Sequence, residues 1–182
     1  MRLAGLALST FLTVTSANAQ DWSGFYGGAS FGASDGKQTT SGLEFPLSGS
    51  APGLFVGHNW QSGTLVYGAE LAYSDSGITL DRFPQIEYRD MIDLKARFGL
   101  ALGRTLAYGV VGWSRAVYVN GAFTDNPDGA MFGVGADRMF SDTVFGGIEV
   151  LYRKTDFPLP NAIGGKSDND ITTVALRLGV KF

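Results

Sequence analysis

The chain has 182 residues, with 14 Lys and Arg against 17 Asp and Glu, one histidine and no cysteine. A net charge of −3 argues against a basic face for nucleic acid. The lack of cysteine excludes a disulfide framework, a lipid-modified amino-terminal cysteine and a thiolate metal site. The 26 glycines are about twice the usual share of roughly 7%. A mean hydropathy near zero excludes a bundle of apolar helices, but not a barrel whose polar lumen cancels its apolar exterior.

From the amino terminus, Arg2 is followed by a short apolar run from Leu3 to Val14 and then by Ala17-Asn18-Ala19. A positive n-region, an apolar h-region and an A-x-A site predict a cleaved export signal over residues 1–19. The run is broken by Ser9, Thr10 and Thr13 and is too short to span a bilayer as a helix. Cleavage would remove Arg2, leaving a single domain over residues 20–182 with a net charge of −4.

Beyond the signal no helical period is sustained. Apolar and non-apolar residues alternate in segments of about ten, each followed by turn chemistry. The pattern predicts eight strands, near 23–33, 52–60, 65–74, 91–102, 105–118, 129–140, 144–154 and 171–182. Links at 61–64, 103–104 and 141–143 are tight hairpins; those at 34–51, 75–90, 119–128 and 155–170 are long and rich in Gly, Ser, Asp, Asn and Pro. Three short turns interleaved with four long loops predict an all-β fold: an eight-stranded antiparallel up-and-down transmembrane β-barrel, short turns to the periplasm and long loops outside. The first long loop carries only Asp35, Lys37 and Glu44 as charges and reads as mobile rather than as a formed binding site.

In the fourth predicted strand Ile92, Leu94, Ala96, Phe98, Leu100 and Leu102 oppose Asp93, Lys95 and Arg97; in the seventh Val144, Ile148, Val150 and Tyr152 oppose Glu149 and Arg153. The chain ends in the same way: Val174, Leu176, Leu178, Val180 and Phe182 alternate with Ala175, Arg177, Gly179 and Lys181. A one-residue slip would put each charge into lipid, at about 2–4 kcal/mol for Arg or Lys near mid-membrane. Trp22, Phe25, Trp60, Tyr108, Tyr118, Phe140, Tyr152 and Phe182 are expected to form two interfacial girdles. The fifth strand leaves its faces open, because Trp113 shares its parity with Arg115.

Three stretches carry a resemblance: Asp21 to Gly28 (DWSGFYGG), Gly57 to Gln61 (GHNWQ) followed by Tyr67 to Glu70 (YGAE), and Leu178 to Phe182 (LGVKF). They are similar to the small outer-membrane barrel proteins of alphaproteobacteria, of porin-family or opacity-like type, which share the fold of the OmpA membrane domain. His58 stands where that family would carry a Tyr. The resemblance implies location in the cell outer membrane, surrounded by its lipid and lipopolysaccharide, and a monomeric barrel. It also implies that the terminal Phe182 resembles the insertion signal read by the barrel assembly machinery.

Glu70, Asp93, Lys95, Arg97, Arg115, Asp137, Glu149, Arg153, Arg177 and Lys181 share inward parity. Charges in so narrow an interior should form a hydrogen-bonded ion network. One reading is a structural plug, since eight strands enclose little more than their own side chains. The other is a gate, in which the pairs swap partners and admit small ions or solutes. Glu70 with Arg97, and Glu149 with Arg177, are expected at matching depths.

Acyl-transfer chemistry of Ser/His type needs a base held by an acid, and the only histidine, His58, reads as an outward-facing interface residue. No enzyme, cofactor or metal is expected. Asp125, Asp128, Asp168 and Asp170 lack the EF-hand spacing, and the Gly27-Gly28 and Gly146-Gly147 pairs lack the helix that a phosphate loop requires. Periodicity alone leaves a soluble lipocalin-like ligand-binding barrel open, with its apolar faces turned inward.

Overall fold

Extended alternating segments dominate the fold. The computed structural model describes residues 20–121, 123–158 and 166–182, so the expected export signal lies outside the described residues. Among the described residues ten strands follow one another: β1 (Gly24–Thr40), β2 (Leu43–Ser62), β3 (Leu65–Ser74), β4 (Ile78–Leu80), β5 (Phe83–Leu102), β6 (Thr105–Asn120), β7 (Phe123–Asp125), β8 (Asp128–Met139), β9 (Val144–Pro158) and β10 (Lys166–Lys181). All pairings are antiparallel. β1, β2, β3, β5, β6, β8, β9 and β10 pair in that order, and β10 returns to β1, so the ring of eight has no free edge through its spanning height. Closure matters because an unpaired backbone group in hydrocarbon costs several kcal/mol.

The exterior of the ring is apolar. Phe31, Leu54, Phe98, Val134 and Leu176 are exposed on it, while the charges alternating with them are buried inside. A lipocalin-like barrel requires the reverse, so this orientation rules that alternative out. The band has hydrogen-bonded limits at the long-loop end: Tyr73 donates to Asp90 (2.5 Å), Trp113 Nε1 to Asp128 (3.0 Å) and Tyr152 to Asp170 (2.5 Å). At the short-turn end Phe25, Trp60, Phe140 and Phe182 are exposed in the girdle expected of them. Trp22, Tyr108 and Tyr118 are not part of any girdle; all three are buried inside the barrel. Their burial settles the fifth ring strand, β6: Leu106, Tyr108, Val110, Ser114 and Tyr118 point inward, and Val111, Trp113 and Arg115 outward.

The long connections differ most from expectation. β1, β2 and β5 have 17, 20 and 20 residues, well beyond the roughly 9–11 that cross a bilayer. Residues 34–51 are not a mobile loop; β1 and β2 continue in register to a turn at Ser41-Gly42, where both φ values are positive. β4 pairs with β2 and β5 within the second long connection. Inside this raised wall Leu47, Ile78, Leu80, Tyr88, Phe157 and Ile171 form an apolar cluster separate from the one within the spanning ring.

Candidate functional site: the charged lumen

Six charged side chains meet at the centre of the ring: Glu70 on β3, Lys95 and Arg97 on β5, Asp137 on β8, Glu149 on β9 and Arg177 on β10. All are almost completely buried. Lys95 Nζ donates to Glu70 Oε1 (3.0 Å) and Glu149 Oε1 (2.7 Å). Arg97 donates from Nη1 to Glu70 Oε2 (3.3 Å) and from Nη2 to Asp137 Oδ2 (2.6 Å). Arg177 holds Glu70 with both Nη atoms and donates from Nη1 to Glu149 Oε2 (2.9 Å). Three carboxylates balance three cations, so the cluster is neutral and each charge has an opposite partner.

Room for these side chains comes from glycine. In the strand register Glu70 stands opposite Gly57, Lys95 opposite Gly112, Arg97 opposite Gly68, and Glu149 opposite Gly135. Asp137 and Arg177 both stand opposite Gly147. Every member of the cluster thus projects over a neighbour with no side chain, the alternation of large and small that a narrow barrel needs. Gly27-Gly28 and Gly146-Gly147 serve the same close packing: a Cβ at Gly28 would strike the Leu178 carbonyl and the Phe55 ring, and one at Gly147 the Asp137 carboxylate.

Two tyrosines complete the cluster. Tyr26 donates to Glu70 Oε2 (3.0 Å) and accepts from Arg97 Nη1 (2.8 Å). Tyr108 donates to Glu149 Oε2 (3.2 Å), and the Arg97 guanidinium lies 3.8 Å from its ring centre. Sequence reasoning missed Tyr26 and placed Tyr108 in a girdle. The available signal was parity, because Tyr26 alternates in step with Gly24, Gly28 and Ser30 on the small, polar face of β1.

Asp93 and Arg153 form a second layer nearer the long loops. Arg153 grips both oxygens of Asp93 (2.6 and 3.2 Å) and donates to Thr173, which shares a hydrogen bond with Ser34. A void of ≈ 20 Å³ lies between the layers, and one of ≈ 10 Å³ lies below the central cluster by Trp22, Asn59 and Lys181. Each holds little more than one water.

Two expected members lie elsewhere. Arg115 is outside the barrel, exposed, because it shares the outward parity of Trp113 and sits one step beyond it, past the apolar band. Lys181 keeps inward parity but lies at the short-turn mouth, where Nζ donates to the Asp21 carbonyl (2.6 Å) and does not reach the cluster. His58 is on the outer wall between Phe25 and Trp60, with ring centres 4.5 Å from each. Of the loop aspartates, Asp128 and Asp170 accept from Trp113 and Tyr152, Asp168 pairs with Lys166, and Asp125 caps the Asn126 amide. Among the described residues no three acidic or histidine side chains gather as a metal site.

A closed antiparallel ring, apolar outside and charged within, has the chemistry of a membrane barrel. A family model for the outer membrane protein beta-barrel domain matches residues 4–182. The chain belongs to that family. It is an outer-membrane barrel with surface loops, so the short turns face the periplasm and the raised β-wall faces outside. Among solved structures it is similar to the Neisserial surface protein A, NspA (14% identity, 88% of this chain and 98% of that one, TM-score 0.58). It is also similar to Ail, the attachment invasion locus protein of Yersinia pestis, solved with the heparin analogue sucrose octasulfate (14%, 87% and 99%, TM-score 0.54). OprG from Pseudomonas aeruginosa is a third such structure (15%, 91% and 99%, TM-score 0.52). At these identities the likeness concerns the fold alone. No curated protein matches the sequence.

Proposed function

We propose that this protein is a closed structural barrel that contributes to envelope integrity and presents its long loops at the cell surface. The supporting observation is the neutral central cluster, in which six buried charges pair with opposite charges across the lumen. A gate with swapping partners would have to break several of these contacts at once, each removal leaving an unpaired buried charge. The plug is therefore favoured over a narrow pore for ions or small solutes. No catalytic role is assigned, because His58 has aromatic neighbours rather than an acid and a nucleophile beside it. In this reading the barrel is a monomer, phospholipid and lipopolysaccharide surround its apolar band, and the assembly machinery reads β10 up to Phe182.

The test is conductance of the refolded protein in a planar bilayer. Insertion without a steady current supports the structural reading. A steady, salt-proportional current that changes with Arg97→Ala and Glu70→Ala would overturn it and make the cluster a gate.

A further inference from the structure

The raised wall outside the membrane has its own interior. Leu47 from β2, Ile78 and Leu80 from β4, Tyr88 from β5, Tyr118 from β6 and Phe157 from β9 fill it. Ile78 and Tyr88 have no exposed surface at all. The rings of Tyr118 and Tyr88 are 5.2 Å apart, and those of Tyr118 and Phe157 4.7 Å apart. Beside this apolar cluster, along β1, β9 and β10, runs a narrow polar seam. There the Tyr88 hydroxyl lies within hydrogen-bonding distance of the Gln38 and Asn169 carboxamides, and Thr40 shares a hydrogen bond with Ser167. The seam is occupied by its own hydrogen bonds.

We infer that this apolar cluster is a second plug, in series with the ionic one, and that it seals the lumen against the cell exterior. The inference rests on the closed-barrel reading and extends it to where the barrier lies. The ionic cluster is held by side-chain contacts across the spanning ring itself. The outer cluster is packed between strands, so it parts only if the wall itself opens. An ion at such a constriction meets apolar surface without hydration, the basis of hydrophobic gating. Two of its members, Ile78 and Leu80, belong to β4, which lies outside the ring of eight. Breaking this seal therefore leaves the transmembrane barrel intact.

The absence of cysteine permits a direct test. Ser114 is buried on β6 opposite Asp93, one inward position below Ala116 of the outer cluster. Ser114→Cys places a single thiol there, and Gln85→Cys, at an exposed position near the start of β5, reports labelling of the outer surface. Both are reconstituted in vesicles and treated from outside with a charged, membrane-impermeant thiol reagent. Ser114→Cys should label at least about 100-fold more slowly than Gln85→Cys, as a site reached only by local opening. Adding Ile78→Ser and Leu80→Ser should raise its rate by about tenfold or more, at unchanged heat-modifiable migration. Should that pair fail to fold, Phe157→Ala carries the same expectation. Fast labelling with the outer cluster intact overturns the inference, as does no gain when the cluster is opened in a folded barrel. A steady current through the unmodified barrel would overturn instead the closed-barrel reading beneath it.

Discussion

Arg177 and Glu70, 107 residues apart in the chain, grip each other across the lumen: Nη2 donates to Oε2 at 2.6 Å and Nη1 to Oε1 at 3.0 Å. Their strands, β10 and β3, are not neighbours, since β1 and β2 lie between them in the wall. The contact is a cross-brace that no backbone ladder supplies, and it joins the carboxylate shared by all three cations of the cluster.

Glu70→Ala removes that shared acceptor and leaves the cluster with one uncompensated positive charge. The expected cost is about 3–5 kcal/mol, the penalty for breaking a buried ion pair from one side. Urea unfolding in lipid vesicles measures it. An unchanged midpoint would mean that water reaches the cations and that the lumen is not sealed.

Gly57→Ala tests the packing that makes room for the charges. A Cβ there would collide with the ring and hydroxyl of Tyr26, which is buried and hydrogen-bonded to Glu70 and Arg97, so any shift of the ring strains those bonds. Overpacking of this kind costs about 1–3 kcal/mol. Gly109→Ala is the control, because a Cβ at that position meets nothing nearer than 3.9 Å. Equal midpoints for the two variants would contradict the large-over-small arrangement.

Arg115→Ala and Arg97→Ala separate the two faces of the barrel. Arg115 is exposed outside and should tolerate the change within about 0.5 kcal/mol. Arg97 lies inside against Glu70, Asp137 and Tyr108, and its loss should cost about 3–5 kcal/mol. The same unfolding measurement compares them, and equal losses would mean that the orientation of β6 is reversed.

Leu176→Arg puts a cation on the lipid face of the closing strand, one residue from Arg177, which is at home inside. The expected loss is about 2–4 kcal/mol if the position lies near mid-membrane. Reversible unfolding in vesicles reads it, and a neutral result would place Leu176 at the headgroup level instead.

Much of the spanning ring was legible in the sequence, because lipid outside and charge inside make the period of two visible. In β5, Asp93, Lys95 and Arg97 alternate with Ile92, Leu94 and Phe98, and a slip of one residue is costly enough to be forbidden. β6 shows where this signal fails. Tyr108, Tyr118 and Trp113 are all acceptable at an interface, so composition does not tell in from out, and the charge of Arg115 by itself points to the lumen although its side chain is exposed outside. Residues 34–51 show the second failure. Ser34, Gln38 and Thr40 face in while Asp35 and Lys37 face out, so polar opposes polar and no contrast marks a strand.

What the sequence alone determined is the spanning ring: its eight strands, closure and the inward parity of Glu70, Lys95, Arg97, Asp137, Glu149 and Arg177, because each follows from local alternation against two different solvents. What only the tertiary structure decided is the pairing across that wall. The choice of Glu70 by Arg177, the recruitment of Tyr26 and Tyr108, the glycine opposite every central charge and the apolar cluster outside the membrane all join residues far apart in the chain. Local alternation carries no information about such partners. They are set by the register and curvature of the closed ring, which exist only once β10 has paired with β1.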